Sequence, residues 1–478
     1  MTDDSTLTSG PVKTGVTYVL LVSLVAAMGG LLFGYDWVVI GGAKPFFEKY
    51  FQLNSERLSG WANSCALLGC LLGSLISGGL SDKFGRKKLL LASGVLFAVS
   101  SVLTGWAYTF NTFVVWRILG GVAIGMASNL SPLYIAEIAP ARLRGRLVSL
   151  NQLTIVIGIL LAQVANWLIA RPVPEDATAE FIRESWNGQY GWRWMFTAVT
   201  VPSVFFFLMS LFVPESPRWL VKNGMSDLAR RVLARVGGAA HAETELREIQ
   251  ATLAAEEIQH VRFGDLLEWR LVKILVLGCS LAVLQQWSGI NVIFNYAEEI
   301  FRQAGYGVSD ILFNIVITGT INLVFTFIAI GTVDVLGRRP LMLIGFAGIA
   351  ASHIAIGYAY HAGLQGTFVV ACTLAAIACY SMTIAPVVWV LISEIFPNRI
   401  RGAAVSVAVS ALWVACFILT FTFPILNLTC GAASTFWIYA GICLAGFLLV
   451  WWTVPETKDK RLEEIEAYFG DGRNEPTG

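Results

Sequence analysis

The chain has 478 residues, of which 56% are hydrophobic and 14% are charged, and its mean hydropathy is +0.67. A soluble protein of this length carries more charge, so the composition indicates a chain embedded in a lipid bilayer. The formal net charge of +1, without a basic domain, gives no indication of nucleic-acid binding.

Apolar runs recur along the chain, and each is long enough to cross a hydrocarbon core of about 30 Å as a helix. Twelve spans are predicted, at 16–42, 60–80, 89–109, 112–136, 147–170, 192–213, 271–303, 311–333, 340–361, 367–394, 402–428 and 432–454. A charged segment, 214–270, separates six spans from six and is predicted to form short amphipathic cytoplasmic helices. The sequence therefore predicts an all-α integral membrane protein with two six-helix bundles, 16–213 and 271–454, flanked by a disordered N-terminus (1–15) and a C-terminal tail (455–478).

The eight cysteines lie almost entirely within apolar runs and are interpreted as small packing residues. The sequence contains no CxxC pair and no His/Cys cluster, so neither a disulfide framework nor a metal site or other cofactor is expected. The first apolar run follows no basic segment, so it is not interpreted as a signal peptide.

Basic residues are concentrated in the loops that follow even-numbered spans, and basic loops face the cytoplasm. These residues are Lys83, Arg86, Lys87 and Lys88 after span two, Arg142, Arg144 and Arg146 after span four, and Arg338, Arg339, Arg399 and Arg401 after spans eight and ten. Both termini are therefore predicted to be cytoplasmic.

The two halves of the chain repeat each other. SDKFGRKK at 81–88 corresponds to VDVLGRRP at 333–340, and EIAPARLRG at 137–145 corresponds to EIFPNRIRG at 394–402. PESPR at 214–218 has a counterpart in PETK at 455–458. A duplication of this kind predicts two similar bundles with a substrate site between them.

The seventh span is interrupted by polar residues in QQWSGINVIFNY, residues 285–296. Polar side chains at membrane depth are costly and normally face a bundle interior or a watery cavity. On a continuous helix, Gln285, Ser288 and Gly289 share one face, which Gln286 and Asn291 flank. Amides both donate and accept hydrogen bonds, which suits a neutral ligand with many hydroxyls. Hydrogen bonding between helices is the alternative.

Taken together, these motifs resemble the sugar porter family of the major facilitator superfamily. The match extends over about 16–458 and includes GGLLFGYD, RILGG, PESPRWL, QQWSGIN, DVLGRRP and PVVWVLISEIFPNRIRG in the family's order. The resemblance implies the major facilitator fold and a monomeric, non-enzymatic sugar carrier of the cell membrane, whose partners are sugar, protons and lipid.

The resemblance also implies a sugar site. Its members here are Gln163, Gln285, Gln286, Asn291, Asn322, Trp389, Phe33 and Trp413. Trp389 would pack on the apolar face of a sugar ring, with helix packing or an interfacial belt as alternatives. The sugar's identity stays open because the chain departs from the family pattern at Ile159, Asn295, Ala385 and Leu412.

Two charged residues lie within predicted spans, Asp36 in the first and Arg117 in the fourth. A charge at membrane depth is costly, so the two are expected to pair. Proton-coupled family members resemble the chain at both positions, which implies that protonation of Asp36 loosens the pair and couples transport to protons. A static structural pair is one alternative, and an Arg117 side chain that reaches the interface is another.

The resemblance assigns further charged residues to a cytoplasmic gate. They are Asp82, Arg86, Glu137, Arg144, Glu215 and Arg218 in the first half, and Asp334, Arg338, Glu394 and Arg401 in the second, with Glu456 expected to join them. In this family such residues form ion pairs between helix ends and close the cytoplasmic side in the outward-facing state. A purely topological role is the alternative, although orientation does not require the acidic partners.

The function expected from these features is import of a monosaccharide, such as glucose, xylose, galactose or arabinose, together with a proton. A facilitative uniporter of the same fold and a membrane sugar sensor are the alternatives. An enzyme is not expected, because the sequence offers no catalytic constellation and no phosphate-binding glycine loop.

Overall fold

A computed structural model describes residues 13–174, 177–258, 269–364, 366–396 and 401–458. Among the described residues, twelve helical segments are long and apolar enough to cross a membrane, which confirms the predicted number of spans. The helices form two bundles joined by a linker.

The bounds of the helices are as follows. The first bundle comprises α1 (Lys13–Tyr50), α2 (Glu56–Phe84), α3 (Arg86–Gly105), α4 (Phe110–Ile138), α5 (Ala141–Ile169), the short α6 (Ala179–Glu184), a π-helical turn (Asn187–Gly191), α7 (Trp192–Ala198) and α8 (Thr200–Ser210). The linker comprises α9 (Pro217–Lys222), α10 (Ser226–Gly237) and α11 (Ala239–Ile258). The second bundle comprises α12 (Trp269–Trp287), α13 (Ile290–Asn295), α14 (Ala297–Gln303), α15 (Val308–Leu336), α16 (Arg338–His361), α17 (Thr367–Met382), α18 (Ile384–Ile395), α19 (Arg401–Cys430) and α20 (Ala432–Thr453).

Helix α1 is longer than hydropathy predicts. It begins at Lys13, within the predicted disordered N-terminus, and it continues to Tyr50 rather than ending near 42. Lys44 and Glu48 end the apolar run in the sequence, yet Lys44 is buried and pairs with Glu48 one turn later. Paired charges therefore allow the helix to continue where hydropathy alone indicates a stop.

The linker helices form a small separate core. Ala229 and Leu233 of α10 pack with Leu220 of α9 and with Leu246 of α11. Within the described residues of the predicted amphipathic segment, 214–258 and 269–270, three helices thus form, and they bury apolar residues against each other. The side of the protein that carries α9–α11 is called the linker face below, and the other side the opposite face.

Helices α2 and α4 approach each other through glycines. Gly69 and Gly73 lie four residues apart on α2, and Gly121 and Gly125 lie four residues apart on α4. A methyl group added at Gly121 would overlap the backbone carbonyl of Ala66 on α2. Small residues at this spacing allow membrane helices to pack backbone against backbone.

Because this contact leaves no space for a side chain, Gly121→Ala is expected to lower the stability of the folded protein by about 1–3 kcal/mol. The measurement is thermal or denaturant unfolding of the purified protein in detergent. Gly78→Ala is the matched control, since a methyl group there would meet no atom within 4 Å. Equal stability of the two variants would contradict the proposed role of the contact.

The two bundles meet along two pairs of helices. Helix α2 packs against α19, and α5 packs against α15. Helix α1 of the first bundle also contacts α13 and α14 of the second. Five candidate sugar-site residues lie on these helices: Phe33 on α1, Gln163 on α5, Asn291 on α13, Asn322 on α15 and Trp413 on α19.

Candidate functional site

The seventh span is broken in the middle of its polar stretch. Helix α12 ends at Trp287, and α13 begins at Ile290 after Gly289, whose φ of 84° is left-handed. The prediction that Gln285, Ser288 and Gly289 share one continuous helical face is therefore wrong. Glycine adopts this conformation without steric cost, and a Cβ at Gly289 would also crowd His353 and Tyr439 at 3.0 and 3.1 Å.

A histidine satisfies the backbone carbonyl exposed by this break. The Ser288 carbonyl lies 2.7 Å from Nε2 of His353 on α16, and Sγ of Cys443 on α20 is 3.7 Å away. His353 is fully buried. In the neutral tautomer that donates from Nε2, it supplies the hydrogen bond that lipid cannot provide. The sequence alone gave His353 no role. A histidine within a predicted membrane span nevertheless indicates a buried polar contact.

Two amides of the seventh span face each other across the break. Nδ2 of Asn291 on α13 donates a hydrogen bond to Oε1 of Gln286 on α12, and it also lies 3.5 Å from Sγ of Cys416 on α19. Gln285 points elsewhere and donates to the Ala385 carbonyl at 3.3 Å. Of the predicted amides on this span, the structure thus brings Gln286 and Asn291 together and directs Gln285 to α18.

Aromatic side chains lie near the amide pair, at the contact between the bundles. Phe33 of α1 and Trp413 of α19 have ring centroids 5.9 Å apart, and Phe33 lies at the same distance from Trp37. Trp413 is one helical turn before Cys416, which contacts Asn291. Nε1 of Trp413 is buried without a hydrogen-bond partner among the described residues. A free donor beside aromatic faces and amides suits a ligand that has both hydroxyl groups and an apolar face.

Gln163 and Asn322 lie on the helices of the second contact between bundles. Nε2 of Gln163 on α5 is 3.4 Å from Oγ1 of Thr318 on α15, and its Oε1 has no partner in the described part of the chain. Asn322, one turn after Thr318, accepts a hydrogen bond from Oγ of Ser381 at 2.6 Å. Both amides are buried; Gln163 reaches across the contact between the bundles, whereas Asn322 bonds within the second bundle.

Trp389 on α18 differs from the other candidates because its side chain is 41% exposed. This exposure is inconsistent with the alternative that Trp389 only packs inside a bundle. Its ring surface is available to a ligand or to a lipid chain.

The charged pair within the first bundle is formed. Nη1 of Arg117 on α4 is 3.1 Å from Oδ1 of Asp36 on α1, and 3.4 Å from the Asp36 carbonyl. Both residues are 2% exposed, so the Arg117 side chain does not extend to the interface. Oδ2 of Asp36 and Nε of Arg117 have no partner among the residues that the structure describes. One oxygen of the carboxylate is therefore paired, and the other is buried without a partner in the described part of the chain.

A carboxylate caps the third helix on the linker face of the first bundle. Glu215 accepts hydrogen bonds from the backbone N–H groups of Arg86 and Lys87, at 2.9 and 3.1 Å, in the first turn of α3. A side chain at Gly85, where φ is 98°, would overlap this carboxylate. Helix N-termini have unpaired N–H groups and favour negative charge. This explains why the Gly-Arg motif at the start of α3 occurs together with the Pro-Glu motif that contains Glu215.

The second bundle repeats this cap. Glu456 accepts hydrogen bonds from the N–H groups of Arg338 and Arg339, at 3.0 and 3.1 Å, in the first turn of α16. Gly337 precedes that helix with φ of 88°. The internal repeat of the sequence thus corresponds to a helix cap that is repeated in the two bundles.

The arginines of the predicted gate pair within their own bundles. Arg86 binds Glu137 through two hydrogen bonds of 3.0 Å and contacts Asp82 at 3.0 Å, while Arg338 lies 3.3 Å from Glu394. Among the remaining predicted gate residues, the Arg144 side chain is exposed, and the side chains of Asp334 and Arg401 lie outside the described part of the structure. Arg218 lies in the first turn of α9. These contacts hold each half together at the linker face.

Twelve spans in two repeated bundles, with polar side chains between them, define a membrane transporter of the major facilitator type. The chain matches the family described as "Sugar (and other) transporter" over residues 22–469. It belongs to that family.

Several relatives match the chain over almost its whole length. The D-xylose-proton symporter of Escherichia coli strain K12 is 38% identical, covering 95% of this chain and 96% of the relative. The arabinose-proton symporter of Bacillus subtilis is 40% identical over 95% of each protein, and the glucose transport protein of Synechocystis is 40% identical over 94% of this chain and 97% of the relative.

Solved structures of the E. coli xylose transporter XylE have the same fold. The partially occluded inward open conformation has a TM-score of 0.82 at 35% identity, covering 93% of this chain and 100% of that structure. The structure bound to 6-bromo-6-deoxy-D-glucose has a TM-score of 0.78 at 37% identity, covering 95% of this chain and 100% of that structure. By TM-score, this chain is more similar to the partially occluded inward open structure than to the structure bound to 6-bromo-6-deoxy-D-glucose.

Removal of the amide that faces Asn291 is expected to weaken ligand binding. Gln286→Ala should raise the dissociation constant of the transported sugar roughly 2- to 13-fold, the equivalent of one lost hydrogen bond of about 0.5–1.5 kcal/mol. The measurement is a binding titration on purified protein. Thr373→Ala, which removes a buried hydroxyl bonded within α17, is the control. Wild-type affinity of the Gln286→Ala variant for every transported sugar would contradict the assignment.

Loss of the histidine that binds the Ser288 carbonyl is expected to destabilise the break in the seventh span. His353→Leu should lower the free energy of unfolding by about 1–3 kcal/mol, because the buried carbonyl loses its nitrogen donor and keeps only the weak thiol donor of Cys443. His353→Gln retains a donor and should recover part of this loss. The two variants are compared by thermal unfolding in detergent, and equal losses would show that the hydrogen bond is not the cause.

Proposed function

We propose that this protein imports a monosaccharide together with a proton, by alternating access between its two bundles. The observation that carries the proposal is the buried ion pair between Asp36 and Arg117, 3.1 Å apart within the first bundle. Two of the relatives described above are named as proton symporters, for xylose and for arabinose. The substrate class proposed is therefore an aldopentose or aldohexose.

The sugar is proposed to bind between the bundles, beside the Gln286–Asn291 amide pair and the Phe33–Trp413 aromatic pair. Amides supply donors and acceptors for ring hydroxyls, and the aromatic rings supply faces for the C–H surface of a pyranose. Gln163 and Asn322 are proposed to line the adjoining side, and Trp389 to offer its exposed ring. Gln285, which donates to the Ala385 carbonyl, is proposed to hold α12 against α18 beside the sugar.

Asp36 is proposed to bind the transported proton. When Asp36 is ionised, Arg117 neutralises it and ties α1 to α4. Protonation removes that attraction. The pair is proposed to be tighter in one facing state than in the other, so that the two states differ in their affinity for the proton and a proton gradient can shift their populations. One proton moving through 100 mV supplies about 2.3 kcal/mol, which corresponds to roughly 40-fold accumulation of sugar.

The protein is proposed to lie in the cell membrane with its linker face in the cytoplasm. The basic loops that follow the even-numbered spans support this orientation. The charged clusters around Arg86 and Arg338 are proposed to meet across the bundles when the linker face closes. In the present arrangement each cluster is satisfied by its own bundle, with Glu137 and Glu394 as partners.

Asp36→Asn is expected to abolish uphill accumulation of sugar while it leaves sugar exchange intact, because asparagine binds no proton but keeps the size of the side chain. The measurement pairs counterflow without a gradient and uptake driven by an imposed proton gradient, in the same proteoliposomes. Asp310→Asn, which neutralises an exposed carboxylate at the start of α15, is the control.

Undiminished accumulation by the Asp36→Asn variant would remove Asp36 from the coupling mechanism. If the wild-type protein showed only downhill flux and no sugar-induced proton movement, a uniporter of the same fold would replace the symporter.

A further inference from the structure

A buried lysine lies at the end of α1 that is remote from the linker. The first turn of α1 packs against α10, where a methyl group at Gly15 would overlap the Val236 carbonyl. Helix α1 has 38 residues and so extends about 57 Å, which carries its last turns to the opposite face. Lys44 lies in those turns, and its side chain is only 2% exposed.

Three carboxylates surround this lysine. Nζ of Lys44 lies 3.3 Å from Glu48 and 3.7 Å from Glu298, and it donates a hydrogen bond to Glu299. The ring of Tyr296 is 5.4 Å away. Lys44, Glu48, Glu298 and Glu299 are called the Lys44 cluster below. An ammonium group is buried at this depth only when such partners surround it.

The Lys44 cluster joins the two bundles. Lys44 and Glu48 belong to α1 of the first bundle, and Glu48 is held further by Oγ of Ser59 on α2 at 2.5 Å. Glu298 and Glu299 belong to α14 of the second bundle, where Arg302 pairs with Glu298 at 2.9 Å. The ion pairs around Arg86 and Arg338 on the linker face, in contrast, bind partners in their own bundle.

The backbone around the cluster is in close contact as well. A methyl group at Gly41, one turn before Lys44, would lie 2.5 Å from the Phe294 carbonyl of α13. Helix α14 is separated from α12 by two interruptions, at Gly289 and at Tyr296, whose φ and ψ of −121° and 24° are not helical. The carboxylates that bind Lys44 therefore lie on a segment with its own hinges, which can leave α1 without moving α12.

We propose that the Lys44 cluster is a charged latch that holds the opposite face closed while the linker face is open. Opening of the opposite face separates α1 from α14, and water then replaces each charge's partner. This inference rests on alternating access as proposed above. It adds a second ionic contact, chemically independent of Asp36, that breaks once in every transport cycle.

The latch is tested by distance measurements across the opposite face. Spin labels are attached to unnatural amino acids at Asn54, in the loop after α1, and at Leu364, in the loop after α16; both residues are exposed. Lys44→Met removes the cation that joins the bundles, so the long-distance population should increase at least about tenfold relative to the short-distance population. Glu299→Gln should shift the populations in the same direction, to a smaller extent.

The charge-exchanged variant, Lys44→Glu with Glu299→Lys, keeps one cation among three carboxylates and should restore most of the closed population. Arg183→Gln is the matched control, because Arg183 forms ion pairs on the same face with Glu180 and Glu184 of its own short helix. It should leave the distances unchanged.

Unchanged distances in folded Lys44→Met would overturn the latch. If that variant does not fold, unchanged distances in Glu299→Gln would overturn it equally. The proposal would also be overturned if the charge-exchanged variant had as large a long-distance population as Glu299→Gln. The readout needs neither sugar nor a proton gradient, so it is distinct from the transport assay: loss of proton coupling with an intact latch would contradict only the proposed function.

Discussion

A polar group that is buried between membrane helices, away from any water-filled cavity, depends on a partner within the protein. This constraint accounts for the contacts on which the structure depends. Arg117 pairs with Asp36, Asn291 bonds to Gln286, and the Ser288 carbonyl meets a histidine from another helix. Each partner lies on a different helix or beyond a break, and so each fixes how two segments are placed relative to one another.

The same constraint gives these contacts their functional value. A polar or charged group that is isolated from water is costly to leave without a partner. Any alternative conformation must therefore offer that group a new partner. In the proposed mechanism, a hydroxylated ligand replaces amide partners, a proton replaces Arg117 at Asp36, and water replaces the carboxylates around Lys44. In such a mechanism, each polar or charged group exchanges one partner for another as the conformation changes, and no charge is left without a partner.

Much of the architecture was predictable because it depends on local sequence. Span number follows from apolar length, the linker helices from their amphipathic pattern, and the duplicated design from repeated motifs. The partnership of Asp36 with Arg117 was also foreseeable, since an isolated charge at membrane depth is costly. The roles of these residues in sugar binding and coupling are predictions that still await experiment.

Other features depend on contacts that hydropathy does not encode. The left-handed Gly289 ends α12 within an apolar run, and the length of the run gives no sign of it. Lys44 and its partner Glu299 are 255 positions apart, so the sequence shows a charge that ends a span but not the partner that buries it. His353 was overlooked for the same reason, since its partner is the backbone carbonyl of Ser288 on a different span.

The length of α1 has a mechanical consequence. One helical rod, continuous in secondary structure although it contains Pro45, touches the linker near Gly15, carries Phe33 and Asp36 near its middle, and ends beyond Lys44. Because the rod is about 57 Å long, a tilt of about 10° around its centre displaces its ends by roughly 5 Å in opposite directions. The helix that bears Asp36 is therefore also a lever whose fulcrum lies beside the candidate sugar site, and a small rotation there becomes a displacement of several ångströms at both of its ends.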